Sequence, residues 1–340
     1  MSGDIEGAID VHAHYVPPEV IAELERDGGR YGVSVMLHPP TCQKCLKFDY
    51  GLEVRPFFPR LIESVGKRID WMQSVGLSRQ VLSIWTDIFG YALPLRQRVE
   101  WHRLLNLRLA EFCARHPQSF SWLASGALPD ASEASRELRE SVRNGAVGAV
   151  CATNVEGVNL GELDLDEFWA TADSLDVPVF LHPAQPVPTP RTARFSLTQI
   201  AQYTFDTTCC IASLIGSGVL DRFPRLKLIA SHGGGTLPFL IGRFDIMYER
   251  ADRRATGMVA AHCPSEYLRR FWLDTIVHHP KVLAFVAEMI GTDRLLLGTD
   301  ESFPPHEEDP VGALHRAGFS IDDIRRIGIQ NPTLLFRLDA

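Results

Sequence analysis

Ile9-Asp10-Val11-His12-Ala13-His14 is a short apolar run that ends in two histidines two positions apart. Residues i and i+2 of a strand point to the same side, so both imidazoles face one place. Alone, a His-x-His pair more often describes ordinary surface or core histidines than a site. Three further runs reverse that reading. Val177-Pro178-Val179-Phe180-Leu181 leads into His182, Leu228-Ile229-Ala230-Ser231 into His232, and Leu295-Leu296-Leu297-Gly298-Thr299 into Asp300. In a parallel barrel every strand opens its C-terminal end on one face, so residues hundreds of positions apart converge there. Buried imidazoles and carboxylates are costly unless paired or metal-bound, which makes the set of five a candidate site.

Working outward, eight apolar, β-branched-rich runs follow one another: Ala8–Val11, Arg79–Trp85, Ser121–Leu128, Ala146–Ala152, Pro178–Leu181, Leu226–Ala230, Phe271–Asp274 and Arg294–Leu297. Several are continuously hydrophobic, as strands buried on both faces of a parallel sheet are. Between them lie stretches of helical period, among them Val99–His116, Ala131–Asn144, Leu165–Leu175 and Val282–Ile290. Such alternation allows an open doubly wound sheet or a closed barrel, and the count of eight favours closure. The expected fold is therefore α/β, a distorted (β/α)₈ TIM barrel forming one domain over all 340 residues, with an irregular insertion at about 33–60. Val33–Arg60 and Pro183–Ser196 are long and contain proline, and both are placed where a lid or substrate loop would sit.

With 45% hydrophobic and 22% charged residues the chain has the balance of a soluble globular protein. A net charge of −8 without any basic run argues against nucleic acid as a partner. The start, Met1-Ser2-Gly3-Asp4-Ile5-Glu6, is acidic and unlike a signal peptide, and no apolar stretch is long enough to span a bilayer, so a cytoplasmic protein with no membrane partner is expected. Seven scattered cysteines suit free thiols in a reducing compartment. The segment His38-Pro39-Pro40-Thr41-Cys42-Gln43-Lys44-Cys45 has metal-like spacing, but a single Cys-x-x-Cys lacks the second pair of a structural zinc site and reads as loop cysteines. Cys209-Cys210 reads as core.

Three neutral imidazoles and a carboxylate suit a borderline divalent cation, Zn²⁺ first and Mn²⁺ or Fe²⁺ as alternatives, with water in the open position. Ser231-His232-Gly233-Gly234-Gly235 precedes the expected helix Leu237–Arg250, and its free backbone N–H groups offer a place for an anion or oxyanion. Arg55 in Val54-Arg55-Pro56 and Arg243 in Gly242-Arg243-Phe244 are candidates to grip a substrate carboxylate with bidentate pairs.

Together with Phe180-Leu181-His182-Pro183, Phe223-Pro224-Arg225-Leu226-Lys227, Ser265-Glu266-Tyr267-Leu268 and Leu297-Gly298-Thr299-Asp300, these motifs resemble the amidohydrolase superfamily over nearly the whole chain. The resemblance is to the branch typified by aminocarboxymuconate semialdehyde decarboxylase. It implies Zn²⁺ on His12, His14, His182 and Asp300, and a catalytic His232 working beside Asp300. It also implies that Arg55 holds the substrate carboxylate, that Arg243 reaches in from a neighbouring subunit, and that the protein is a homodimer. Where the family pattern has Tyr-Pro-Phe after the last aspartate, this chain has Glu301-Ser302-Phe303, and Ala184-Gln185 replaces Trp-Asp after His-Pro. These changes point away from aminocarboxymuconate semialdehyde as substrate and make Glu301 a candidate for an additional ligand or acid/base.

Two reactions fit the five residues. The first is non-oxidative decarboxylation of an unsaturated or aromatic small-molecule carboxylate, with metal and acid acting together. The second is hydrolysis of a C–C bond, amide or lactone by a metal-activated water. A ligand-binding barrel without catalysis would be signalled by a missing ligand, and none is missing.

Overall fold

The computed structural model describes residues 7–184, 189–250 and 252–338. Met1–Glu6 and Gln185, which entered the sequence reading, lie outside them. The described strands are Ala8–His14 (β1), Val33–Leu37 (β2), Lys44–Phe48 (β3), Leu77–Ser83 (β4), Phe120–Ala124 (β5), Gly148–Ala152 (β6), Asn154–Val155 (β7), Val158–Asn159 (β8), Pro178–His182 (β9), Lys227–Ala230 (β10), Phe271–Asp274 (β11) and Leu295–Leu296 (β12). Eight of them form one parallel sheet in the order β1-β4-β5-β6-β9-β10-β11-β12. Between the ends of that order, Val11 N donates to Leu297 O at 2.9 Å and Asp300 N donates to His12 O at 2.8 Å, so the first and last strands meet and the sheet curls into a barrel. The (β/α)₈ expectation holds.

β1, β5, β6, β9 and β11 are buried along their whole length, so β6 and β9 read as almost continuous apolar runs, while the alternating Asp10, His12 and His14 of β1 are buried polar groups. Helices Leu95–Arg115, Ala131–Arg143, Asp166–Leu175 and Pro280–Ile290 fall where the helical period placed them. The helix at Ala131 starts on a capping side chain, Asp130, which accepts a hydrogen bond from Glu133 N. Two expected runs extend past their strands: Arg79–Trp85 stops at Ser83, and Ser121–Leu128 stops at Ala124. The next N–H, of Ser125, is taken by Asn106 Oδ1 at 2.9 Å and so leaves the ladder.

The insertion at 33–60 is less irregular than its prolines suggested. Val33–Leu37 and Lys44–Phe48 pair as an antiparallel hairpin, with Val33 opposite Phe48 and Leu37 opposite Lys44. Val33, Leu46 and Phe48 turn into the core and hold the hairpin against the barrel, while Pro39-Pro40 marks only its turn. Cys45 is therefore a buried strand residue, its thiol 3.7 Å from Met36 O, and the loop reading holds for the exposed Cys42 alone. Serine at Cys42 should leave stability unchanged. Serine at Cys45 should cost about 1 kcal/mol in a denaturant titration, and neither change should alter metal content.

Candidate metal centre and catalytic cleft

His12 and His14 project from the end of β1, where the register against β4 shifts between Asp10 and Ala13. His182 ends β9, and Asp300 lies just beyond β12. Across these strands, one nitrogen from each of His12, His14 and His182 and one oxygen of Asp300 all lie within 4.8 Å of one another. The far side of each imidazole is tethered. His12 Nδ1 meets Asp274 Oδ2 at 2.7 Å, His14 Nδ1 meets Ser83 Oγ at 2.9 Å, and His182 Nδ1 meets Thr86 Oγ1 at 3.1 Å. These contacts fix the rings so that each Nε2 turns inward.

The inward atoms have no protein partner. His12 Nε2, His14 Nε2, His182 Nε2 and Asp300 Oδ1 are all buried without a hydrogen bond. Four such orphans in one spot would be costly unless a cation satisfied them, and the donor set of three imidazoles and a carboxylate fits a divalent ion. Burial drives His14 and His182 well below the usual histidine pKa, reinforced by the neighbouring imidazoles, so both present the neutral form that ligates. Burial also lifts the Asp300 carboxyl to about 7, with His12 opposing the rise.

His232 stands beside this group rather than in it. Its Nε2 is 3.6 Å from Asp300 Oδ2, and its ring centroid lies 5.2 Å from those of both His12 and His182. The backbone is left-handed at His232 and at Asp300, both at φ 54°, a conformation non-glycine residues adopt at a cost when surroundings enforce it. Glycine is required at the next turn: a Cβ on Gly233 would come 2.5 Å from Val277 Cγ1, and one on Gly235 would come 2.3 Å from Thr204 O.

The anion site expected in this glycine turn is absent because its donors are spent. His232 N and Gly233 N each donate to Asp274 at 2.9 Å, Gly234 N and Gly235 N bond within the turn, and Thr236 N donates to Thr208 Oγ1. Asp274, which sequence reasoning passed over, also accepts from Ile276 N at 3.1 Å and grips His12. It ends β11, the seventh barrel strand, so the strand-end rule that found the other residues could have found it. Glu301 is not a ligand either. It is fully buried in ion pairs with Arg68 and, at 3.6 Å, Arg60.

Above the four groups opens a cleft of about 810 Å³ lined by Phe58, Trp85, Tyr203, Phe303 and Ile276, with His182, His232 and Asp300 on its floor. Arg55 lies on its wall. Its guanidinium stands 5.0 Å from the Phe58 ring and 5.6 Å from Trp85, while Nη2 donates to Asp87 Oδ2 at 2.8 Å and to Tyr203 OH at 3.3 Å. Thr86 and Asp87 come after a gap of two residues beyond the β4 end, directly after the apolar run Arg79–Trp85, and were legible by the same rule. Arg243 is exposed on the helix Leu237–Arg250 and does not line its own chain's cleft. Ser196 lines the cleft, consistent with a substrate loop in 183–196.

The amidohydrolase family model matches residues 96–338. Among characterised relatives, the 2-amino-3-carboxymuconate-6-semialdehyde decarboxylase of Dictyostelium discoideum is 30% identical over 307 residues, covering 89% of this chain and 83% of the relative. The gamma-resorcylate decarboxylase of a Rhizobium species is 29% identical over 324 residues, covering 89% and 96%. Among solved structures, dihydroxybenzoic acid decarboxylase from a Polaromonas species, with bound manganese and the inhibitor 2-nitroresorcinol, superposes with a TM-score of 0.78 at 25% identity, covering 99% and 98%. A 5-carboxyvanillate decarboxylase from Sphingomonas paucimobilis shares the fold at a TM-score of 0.80 and 22% identity, covering 98% and 99%. With the family model spanning most of its length and a barrel that carries His12, His14, His182 and Asp300 at its strand ends, the chain belongs to the amidohydrolase family, in the branch of the aminocarboxymuconate semialdehyde decarboxylases.

Proposed function

We propose that this protein is a metal-dependent decarboxylase that removes CO₂, without oxidation, from an aromatic or unsaturated carboxylate. The observation that carries the reading is the set of four inward, unpartnered ligand atoms at the floor of an aromatic-walled cleft that also holds an arginine. Names of the relatives add support, since all those reported above are decarboxylases. His12, His14, His182 and Asp300 would hold the ion, which we take to be Zn²⁺, with Mn²⁺, present in the Polaromonas relative, or Fe²⁺ as alternatives. Such an ion supplies Lewis acidity to a substrate carboxylate and a neighbouring oxygen.

The chain's own groups do the rest. Phe58, Trp85 and Phe303 provide flat apolar walls for a planar acid, and Arg55 orients its oxygens from the side. His232 Nε2, at the cleft floor, delivers a proton to the carbon that loses CO₂, so that the electron pair of the breaking C–C bond ends in a C–H bond. The test is a screen of metal-loaded protein on aryl and dienoic carboxylates. Equimolar CO₂ and decarboxylated product are expected. Ring-opened or cleaved acids without CO₂ would replace this reading with the hydrolytic one.

The same reading takes Arg243 as a residue lent to the cleft of a partner copy in a homodimer. Phe239, Arg243 and Met247 stand four residues apart on one helix, and all three are exposed, which gives an apolar stripe around the arginine. Inactive Arg243→Ala chains mixed with inactive His12→Ala chains should regain part of the activity on subunit exchange, because one mixed site joins an intact metal shell to an intact arginine. A mixture that forms heterodimers and stays inactive would return Arg243 to a role within its own chain. All seven cysteines are free thiols, which supports a reducing, cytoplasmic setting.

A further inference from the structure

Behind the metal group lies a second buried charge, Arg68, on the helix Val65–Ser74. Its side chain and that of Glu301 are both fully buried and form an ion pair. Around the guanidinium, Nη1 donates to Gln80 Oε1 at 2.9 Å, and Nη2 donates to His14 O at 3.1 Å, Arg60 O at 2.7 Å and Ser302 Oγ at 3.4 Å. Ser302 Oγ in turn donates to His14 O at 2.8 Å. Gln80 Nε2 passes the network to Asp10 Oδ2 at 2.9 Å, and Asp10 accepts from His12 N, Thr299 N and Thr299 Oγ1.

Apart from the bond to Arg60 O, the branches of this network end on a ligand residue or on its chain neighbours. His14 O belongs to one ligand, His12 N to another, and Thr299 and Glu301 flank the third, Asp300. Where the ladder between β12 and β1 is reduced to isolated bonds, these contacts bind the two ligand-bearing segments together. They also hold Asp300 at its left-handed φ of 54°. We propose that Arg68, charge-balanced by Glu301, is a positioning residue for the metal centre: it sets the geometry of His12, His14 and Asp300 through the segments that carry them. The inference rests on the metal reading of that group. Only a guanidinium supplies donors in enough directions for this hub, and a lysine ammonium would not span His14 O, Arg60 O and Gln80 together.

The test compares wild type with Arg68→Lys, Glu301→Gln and the double variant Arg68→Met/Glu301→Leu. Single variants leave a buried charge unbalanced or poorly bonded and are at risk of misfolding. The double variant replaces the pair by apolar side chains and keeps the fold measurable. Zn²⁺ affinity is read by competition with a chromophoric chelator, the ligand geometry by the visible absorption of the Co²⁺-loaded protein, and folding by circular dichroism of the metal-free chains. Affinity should fall roughly 10- to 100-fold in the folded double variant, with a shifted Co²⁺ spectrum, as loss of groups that orient ligands generally produces. A folded double variant with wild-type affinity and an unchanged Co²⁺ spectrum would overturn the proposal while leaving the metal site intact. Failure of the wild type itself to bind would sink the metal reading and the proposal with it.

Discussion

Replacing Asp300 with alanine should strip most of the metal from the protein, from about one ion per chain to a small fraction of that, and lower turnover on the order of 10³-fold or more. Asp300 contributes the sole carboxylate among the four converging groups, and its Oδ1 lies 3.5 Å and 3.4 Å from the inward nitrogens of His12 and His14. Removing it leaves three neutral imidazoles, which must then neutralise a divalent charge without any anion in contact. His12→Ala should act in the same direction for another reason. It deletes a ligand and also leaves Asp274 buried without its imidazole partner at 2.7 Å. Metal analysis after dialysis, together with CO₂ release on the best substrate, reads both effects. A fully active, metal-free variant would end the metal-dependent account.

His232→Ala should behave in the opposite way towards metal. The ion should stay, and turnover should fall by a factor on the order of 10² to 10⁴, as when a proton donor is removed and the rest of the site is left standing. Its Nε2 approaches Asp300 from the cleft side, and the four-group cluster closes without it. The turn that carries it is fastened by its backbone, through His232 N and Gly233 N to Asp274, so truncating the side chain leaves the turn held. Loss of metal along with the histidine would move His232 into the ligand set.

The barrel was legible because strands buried on both faces must be written almost wholly in apolar residues, and because a titratable residue directly after such a strand stands out. All eight runs became barrel strands, and the same rule located His12, His14, His182, His232 and Asp300. What escaped were features decided by partners distant in sequence. Nothing local in Glu301-Ser302-Phe303 announces that Glu301 turns away from the cleft to Arg68, 233 positions earlier in the chain, while Phe303 turns towards it. The glycine turn looked like an anion cradle because its N–H groups are real. Their occupant, Asp274, is supplied by another strand. The hairpin Val33–Leu37/Lys44–Phe48 hid behind two prolines that occupy only its turn.

Asp274 gives the centre a property that no inspection of its parts one at a time would disclose. One carboxylate ties down the imidazole of His12, the peptide of His232 and the start of the loop that forms the cleft wall at Ile276. Cation affinity, proton delivery and cleft shape therefore share a common fastening, and a substitution that retunes one perturbs the others. Changes around these three positions should combine non-additively, since residues in one bonded network do not act independently. For the lineage this narrows the routes to a new substrate: variation is cheapest on the walls anchored elsewhere, those of Phe58, Trp85 and Tyr203, and most constrained on the side that hangs from β11.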